Sequence, residues 1–338
     1  MIRIGIMIFR AKRIVPFIIG GLIFLPPFQK SSSKPEEVLR QGYCSQKIPE
    51  KAYIKGYRDI VFYNGKFLAV GTDGRIDYIN NTGEKTPVSN TCRNNLNCVV
   101  SNDRILVVAG DDGTILFSPD GSQFTKVESG TNKNINGIAF KNELLIAGAD
   151  KGTILVSKNG KSWNVMHLEV KGNIVSVTAN DSFFFGITDC GEIFRSDDGL
   201  NWEIKDYNKE YSGYNKSCVF KMVLATKNRI VIIGRHDDDS PAVLFSSLGN
   251  VWTERSLNYK DDHGMIRFLT NEPNDITYDP VRDQFILACN NGEIFSLPAC
   301  TKCNVPVMVS TNDLYAIICT NDLLLSAGSD FFINIIKF

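Results

Sequence analysis

The sequence predicts an all-β chain folded as a single seven-bladed β-propeller of four-stranded antiparallel blades, closed by an N-terminal strand. Three observations carry this expectation. A turn motif recurs as SPDGSQF at Ser118, SKNGKSW at Ser157, SDDGLNW at Ser196 and SSLGNVW at Ser246, the first three copies starting 39 residues apart. A glycine turn leading into an apolar run recurs at the same 39-residue spacing at Gly74, Gly113, Gly152 and Gly191, and returns at Gly292. Between these turns lie short runs rich in β-branched and aromatic residues, such as ELLIAG and TILVS, which read as strands. Four short strands every ~40 residues form a propeller blade, a unit that buries its faces only against its neighbours. A solenoid stack of the same units is the alternative.

Taken in chain order, residues 1–28 stand outside the repeat. Arg10, Lys12 and Arg13 precede an uncharged run of 15 residues, 14–28. Basic residues ahead of a short apolar core read as a signal peptide or signal anchor, and the run falls short of the ~20 residues that span a bilayer. A buried N-terminal helix is the other reading. Residues 29–45 read as a polar tether and 46–338 as the propeller, in a secreted, periplasmic or cell-surface protein. Blades begin near residues 56, 92, 131, 171, 211, 270 and 309, and the last has only three strands before Phe338. Residues 51–55 are therefore expected to pair alongside 332–337, which would cover an open sheet edge.

Nine cysteines fit an exported chain. Cys92 and Cys98, and the C-x-x-C pair Cys300 and Cys303, read as local disulfides, with inert thiols and metal or redox chemistry as the alternatives, while Cys289 and Cys319 in apolar runs read as small core residues. With 37 basic and 37 acidic side chains the chain carries no net charge, so it lacks the field of a nucleic-acid binder. A membrane would be met only through an uncleaved N-terminal segment.

The motif at Ser118, Ser157, Ser196 and Ser246 resembles the Asp-box turns of sialidase-type and photosystem-assembly-factor-type propellers. These copies are one residue shorter than the family pattern; Asn159 replaces the aspartate in the second, and the fourth lacks it. The resemblance implies hairpin turns. Serine and the acidic residue bond the turn backbone (Ser118 and Asp120, Ser157 and Asn159, Ser196 and Asp198, Ser246). Glycine takes a positive φ (Gly121, Gly160, Gly199, Gly249). An aromatic packs between sheets (Phe124, Trp163, Trp202, Trp252). Asp198 is thus expected to be structural rather than catalytic. A sialidase would also need an arginine triad and a Tyr–Glu nucleophile, and the two-propeller glucanases need a second ring; neither is present in the sequence.

With no nucleophile elbow and three histidines, an enzymatic site is not evident, and no catalytic residue is assigned. The 39-residue period fails only between Ser196 and Asn291, where inserts 205–217, 235–242 and 257–275 appear. All three join the fourth strand to the next blade or the second strand to the third, so they should rise together on the face opposite the Asp-box turns. They carry Tyr207, Tyr211, Tyr214, Arg235, His236, Asp237, Asp239, Tyr259, Asp261 and His263, the candidate residues for binding a protein or glycan. Solvated loop charge is the other reading of these side chains, and their acidic and histidine groups also admit a divalent cation; otherwise no cofactor is expected. A carbohydrate-active hydrolase, with Asp237 and Asp261 as its carboxylate pair, is the alternative function.

Overall fold

The computed structural model describes residues 54–102, 104–210, 216–298 and 304–338. Blade 1 comprises β1 (Tyr57–Tyr63), β2 (Lys66–Gly71), β3 (Ile76–Ile79) and β4 (Lys85–Pro87). Blade 2 follows as β5 (Leu96–Asn102), β6 (Ile105–Gly110), β7 (Ile115–Ser118) and β8 (Thr125–Val127). Blade 3 is β9 (Ile135–Lys141), β10 (Leu144–Ala149), β11 (Thr153–Ser157) and β12 (Asn164–His167). Blade 4 is β13 (Ile174–Ala179), β14 (Phe184–Thr188), β15 (Glu192–Ser196) and β16 (Glu203–Asp206). Blade 5 is β17 (Cys218–Ala225), β18 (Ile230–His236), β19 (Pro241–Ser246) and β20 (Thr253–Glu254). A separate hairpin, β21 (Asn258–Lys260) with β22 (Ile266–Phe268), precedes blade 6. That blade is β23 (Pro273–Asp279), β24 (Gln284–Cys289), β25 (Glu293–Pro298) and β26 (Val307–Met308). Blade 7 has β27 (Leu314–Cys319), β28 (Leu323–Gly328) and β29 (Ile333–Lys337). Each blade is an antiparallel meander in chain order, so the predicted all-β, seven-bladed propeller is what forms.

Burial explains why the units need one another. Hydrophobic clusters fill the interfaces between successive blades, as where Phe184 and Phe194 of blade 4 pack with Ile146 and Ile154 of blade 3. A further cluster joins Tyr57, Phe67 and Ile79 of blade 1 to Leu325 and Ala327 of blade 7, which closes the ring by side-chain packing. The closure expected along 332–337 is corrected in part. Residues 51–53 lie outside the described residues, and Ile54 and Lys55 form no strand. Lys55 instead accepts a 2.8 Å bond from Asp330 N, and Gly56 bridges Ser329, at the β28–β29 turn.

The recurring turns behave as the resemblance implies in their hydrogen bonds. Ser118, Ser157, Ser196 and Ser246 accept from the N–H of Gly121, Gly160, Gly199 and Gly249 at 2.8–2.9 Å. Asp198 accepts from Leu200 N and Asn201 N at 2.8 Å, which holds its carboxyl below the usual range. Gly199 has φ +74°, and a Cβ there would press on Leu144 and Ile146 of blade 3, so the turn sits tight on the preceding blade. The aromatics pack against the clusters between successive blades, but unequally: Trp252 is buried, whereas Phe124, Trp163 and Trp202 are half-buried.

The local disulfide at Cys92 and Cys98 does not form; both are free thiols. Cys98 faces the cluster shared with blade 3 while Cys92 packs in the cluster shared with blade 1, so blade 2 lies between them. Cys289 is buried and Cys319 half-buried. Cys190 is disulfide-bonded. Cys300 and Cys303 lie outside the described residues, as do the apolar run 14–28 and the tether 29–45. Among the described residues no helix is long and apolar enough to cross a membrane.

Candidate functional site at the channel mouth

Every inner strand of the ring carries the same irregularity. A register shift against the second strand leaves one residue unpaired: Arg58, Asn97, Asn136, Val175, Lys221, Asn274 and Tyr315 in blades 1 to 7. A bulge bends its strand and re-aims a side chain. Here all seven side chains line one central cavity of about 910 Å³. Its rim is completed by Asp189, Arg235, Asp239, Asn271, Glu272, Asn290 and Asn291. The asparagines also stitch the ring. Asn136 Nδ2 donates to Asp150 at 2.9 Å in its own blade and to the Ile174 carbonyl of the next at 2.8 Å; Asn97 and Asn274 make the equivalent pairs.

Charge at the mouth is balanced, with three cations (Arg58, Lys221, Arg235) against three carboxylates (Asp189, Asp239, Glu272). Lys221 Nζ meets Glu272 at 2.8 Å and Asn274 at 2.9 Å, while Arg235 bridges Glu272 at 3.4 Å and pairs with Asp239. Burial pushes the Lys221 ammonium down, against the pull of Glu272. Burial pushes the Asp189 carboxyl up, although Asn173 N donates to it at 2.8 Å.

Residues following the bulges tie neighbouring blades together. Asp59 accepts from Ile60 N and from Val99 N of blade 2, both at 2.7 Å. Asp275 accepts from Ile276 N at 2.8 Å and from Ile317 N of blade 7 at 2.7 Å. Ser176 fills the same position in blade 4 and accepts from Val223 N at 3.2 Å. Burial raises the Asp59 carboxyl to about 7 and, with the Asp59 charge adding to it, the Asp275 carboxyl to about 8.

The inserts join β16 to β17, β18 to β19, and β20 to β23, so they emerge at the ends opposite the recurring turns. Their candidate residues divide sharply. Arg235 and Asp239 reach the mouth. Tyr207 does not, because it is buried against Phe220 with ring centroids 5.6 Å apart. His236 is likewise buried, between Cys218 and Glu254. Tyr259 packs edge-on to Phe295 and anchors the hairpin. Asp261 accepts from His263 N, Met265 N and Arg267, a turn role that holds its carboxyl low, the reverse of what a proton donor needs. His263 and Asp237 are exposed, Asp237 accepting from Ser217 N at 3.4 Å. Tyr211 and Tyr214 lie outside the described residues. Among the described residues no three His, Cys, Asp or Glu side chains gather as metal ligands.

The bulge ring was not anticipated from the sequence, yet a trace of it is there. Asn97 and Asn136 lie 39 residues apart in LNCVV and INGIA, and Asn274 holds the same place in PNDIT.

No family model matches the chain, and no curated protein matches it. The ring is similar to a computationally designed protein, Ika8, at 14% identity and a TM-score of 0.59, covering 85% of this chain and 98% of that one. It is also similar to the WD40 β-propeller domain of Doa1, at 13% identity and a TM-score of 0.61, covering 83% and 92%. At these identities the likeness is one of fold.

Proposed function

We propose that this chain is an exported, non-catalytic binding propeller that captures a partner protein at the channel mouth, its contacts extended by the inserts of blades 4 to 6. The observation that carries the reading is the convergence of seven re-aimed side chains on one 910 Å³ cavity. Asn97, Asn136 and Asn274 also tie neighbouring blades, but the bulges at Arg58, Lys221 and Tyr315 bring charged and aromatic groups to the same cavity. Balanced charge suits recognition by shape and hydrogen bonds over long-range attraction. Export is supported by the basic and apolar N-terminal sequence and by the bonded Cys190. The four recurring turns read as shortened Asp-boxes, and the fold places them on the opposite face.

A glycan is the second reading, favoured by the amide side chains of Asn97, Asn136, Asn271, Asn274, Asn290 and Asn291 around the cavity. The test compares partner capture by the wild type, Val175→Trp, which plugs the mouth, and Leu200→Trp on the opposite face. Capture should vanish in the first variant alone, with both melting as the wild type does. Capture that survives Val175→Trp would remove the mouth from the account. A glycan array and chromogenic glycosides distinguish the alternatives: glycan binding without turnover selects the second reading, and turnover would make the protein a hydrolase.

A further inference from the structure

At the root of the 205–217 insert, blade 5 holds three side chains that capture at the mouth does not use. Pairing of β17 with β18 sets Cys218 across from His236. The Cys218 Sγ lies 3.4 Å from His236 Nδ1, and His236 Nε2 lies 2.7 Å from Glu254 Oε1. Cys218 and His236 are 2% and 6% exposed, while Glu254 is half-exposed. A proton on Nε2 satisfies both contacts: the thiol donates to Nδ1 and Nε2–H donates to the carboxylate. Nucleophile, base and orienting carboxylate thus stand in the order that activates a thiol. Cys98 is as buried as Cys218, but its sulfur meets a backbone carbonyl, Ala109 O at 3.8 Å, which can take no proton.

The short helix Tyr207–Glu210 packs over this site, with Tyr207 buried in the same apolar cluster as Cys218. Asn208 clasps the Cys218 backbone, accepting from its N–H at 2.8 Å and donating to its carbonyl at 3.0 Å. The same Nδ2 donates to Cys190 O at 3.1 Å, so one side chain ties the Tyr207–Glu210 helix to blades 4 and 5. Exchange requires Tyr207 and Asn208 to lift from Cys218.

The geometry points to Cys218 as a thiol–disulfide exchange site for small disulfides, with His236 as its base and Glu254 as the positioning residue. As sulfur attacks, the thiol proton passes to His236 Nδ1 and a Cys218–sulfur bond forms. The disulfide's S–S bond breaks, and the leaving thiolate takes the proton from the imidazolium. One thiol and one disulfide give one new thiol and one mixed disulfide, with no outside oxidant. The charges facing the sulfur are Glu254 on β20 and Asp237 in the β18–β19 turn; with burial as the larger cause they push the thiol up to about 12. Lys216, across from them, is engaged by Asp238 at 2.6 Å. The resting form is therefore the thiol, and the imidazole must accept its proton during attack.

The test treats the full, native chain with 4,4′-dithiodipyridine, a small neutral disulfide, and follows each free cysteine by peptide mass mapping. Cys218 should react at least about tenfold faster than the equally buried Cys98 and Cys289. His236→Gln should slow Cys218 by about tenfold, and Glu254→Gln should slow it and displace its pH–rate profile, with Cys98 and Cys289 unchanged. If His236→Gln unfolds the chain, every thiol will react at once, and Glu254→Gln then decides. Equal rates at Cys218, Cys98 and Cys289 in the wild type, or a Cys218 profile indifferent to Glu254→Gln, would overturn the assignment.

Discussion

Raising the pH from 5 to 9 should weaken the ring, and the cause is the pair of carboxylates set into its inner wall. Asp275 is buried and its carboxyl is raised from the ordinary 3.8 to about 8; Asp59 follows at about 7. In the unfolded chain both lose their protons near pH 4, whereas the folded chain keeps them to pH 7 or 8. The folded state therefore holds more protons across this window, and stability falls as pH rises. Stabilisation is complete below about pH 4 and lost on passing the folded-state values. The Asp275 gap, at about 1.4 kcal/mol per tenfold, sets a ceiling of about 6 kcal/mol for that group. Relaxation of the surroundings around a charged carboxylate reduces this, and we expect a loss of about 2–4 kcal/mol between pH 5 and 9. The assay is urea unfolding at fixed temperature along a pH series. Asp275→Ser is the control, because Ser176 already fills the equivalent place in blade 4 and bonds the next blade without a charge. The substituted chain should show a flatter pH dependence. A wild-type stability that is level or rising from pH 5 to 9, or an unchanged slope in Asp275→Ser, would refute the reasoning.

Two further outcomes follow from packing. Trp252→Ala should cost about 3–5 kcal/mol because its ring is 7% exposed among blade 4 and 5 side chains, and Trp163→Ala distinctly less because its ring lies at a rim; paired thermal melts check the order. Asn136→Ala should cost about 1–3 kcal/mol by removing one bond within blade 3 and one to blade 4, read as a lower urea midpoint with the cavity still open to ligand.

Periodicity exposed the architecture because each strand repeats its chemistry every 39 residues, and local turn residues such as Gly113 and Gly152 mark the same corner each time. The site was legible only in part. Arg235 and Asp239 were found because an insert breaks the period, and both reach the mouth. Tyr207 and His236 sit in the same irregular stretch, but their surroundings come from Phe220, Cys218 and Glu254, residues 10 or more positions away that only folding brings together. The bulges escaped notice because one unpaired residue does not disturb a strand's composition. A bulge shows as a change of register between two strands, and register is a property of the pair. Cys92 and Cys98 misled for a related reason: six residues of separation allow a bridge along the chain, but a sheet lies between the clusters they enter.

Position-specific cross-linking from the two ends of one blade tests the mouth most directly. A photoreactive side chain at Val219 would line the cavity, and one at Leu248 would project from the opposite face of blade 5. Irradiated in its native setting, the chain with the probe at position 219 should form a discrete adduct, and the chain with the probe at 248 should not. An adduct from position 248 alone would place the partner on the turn face and contradict the account.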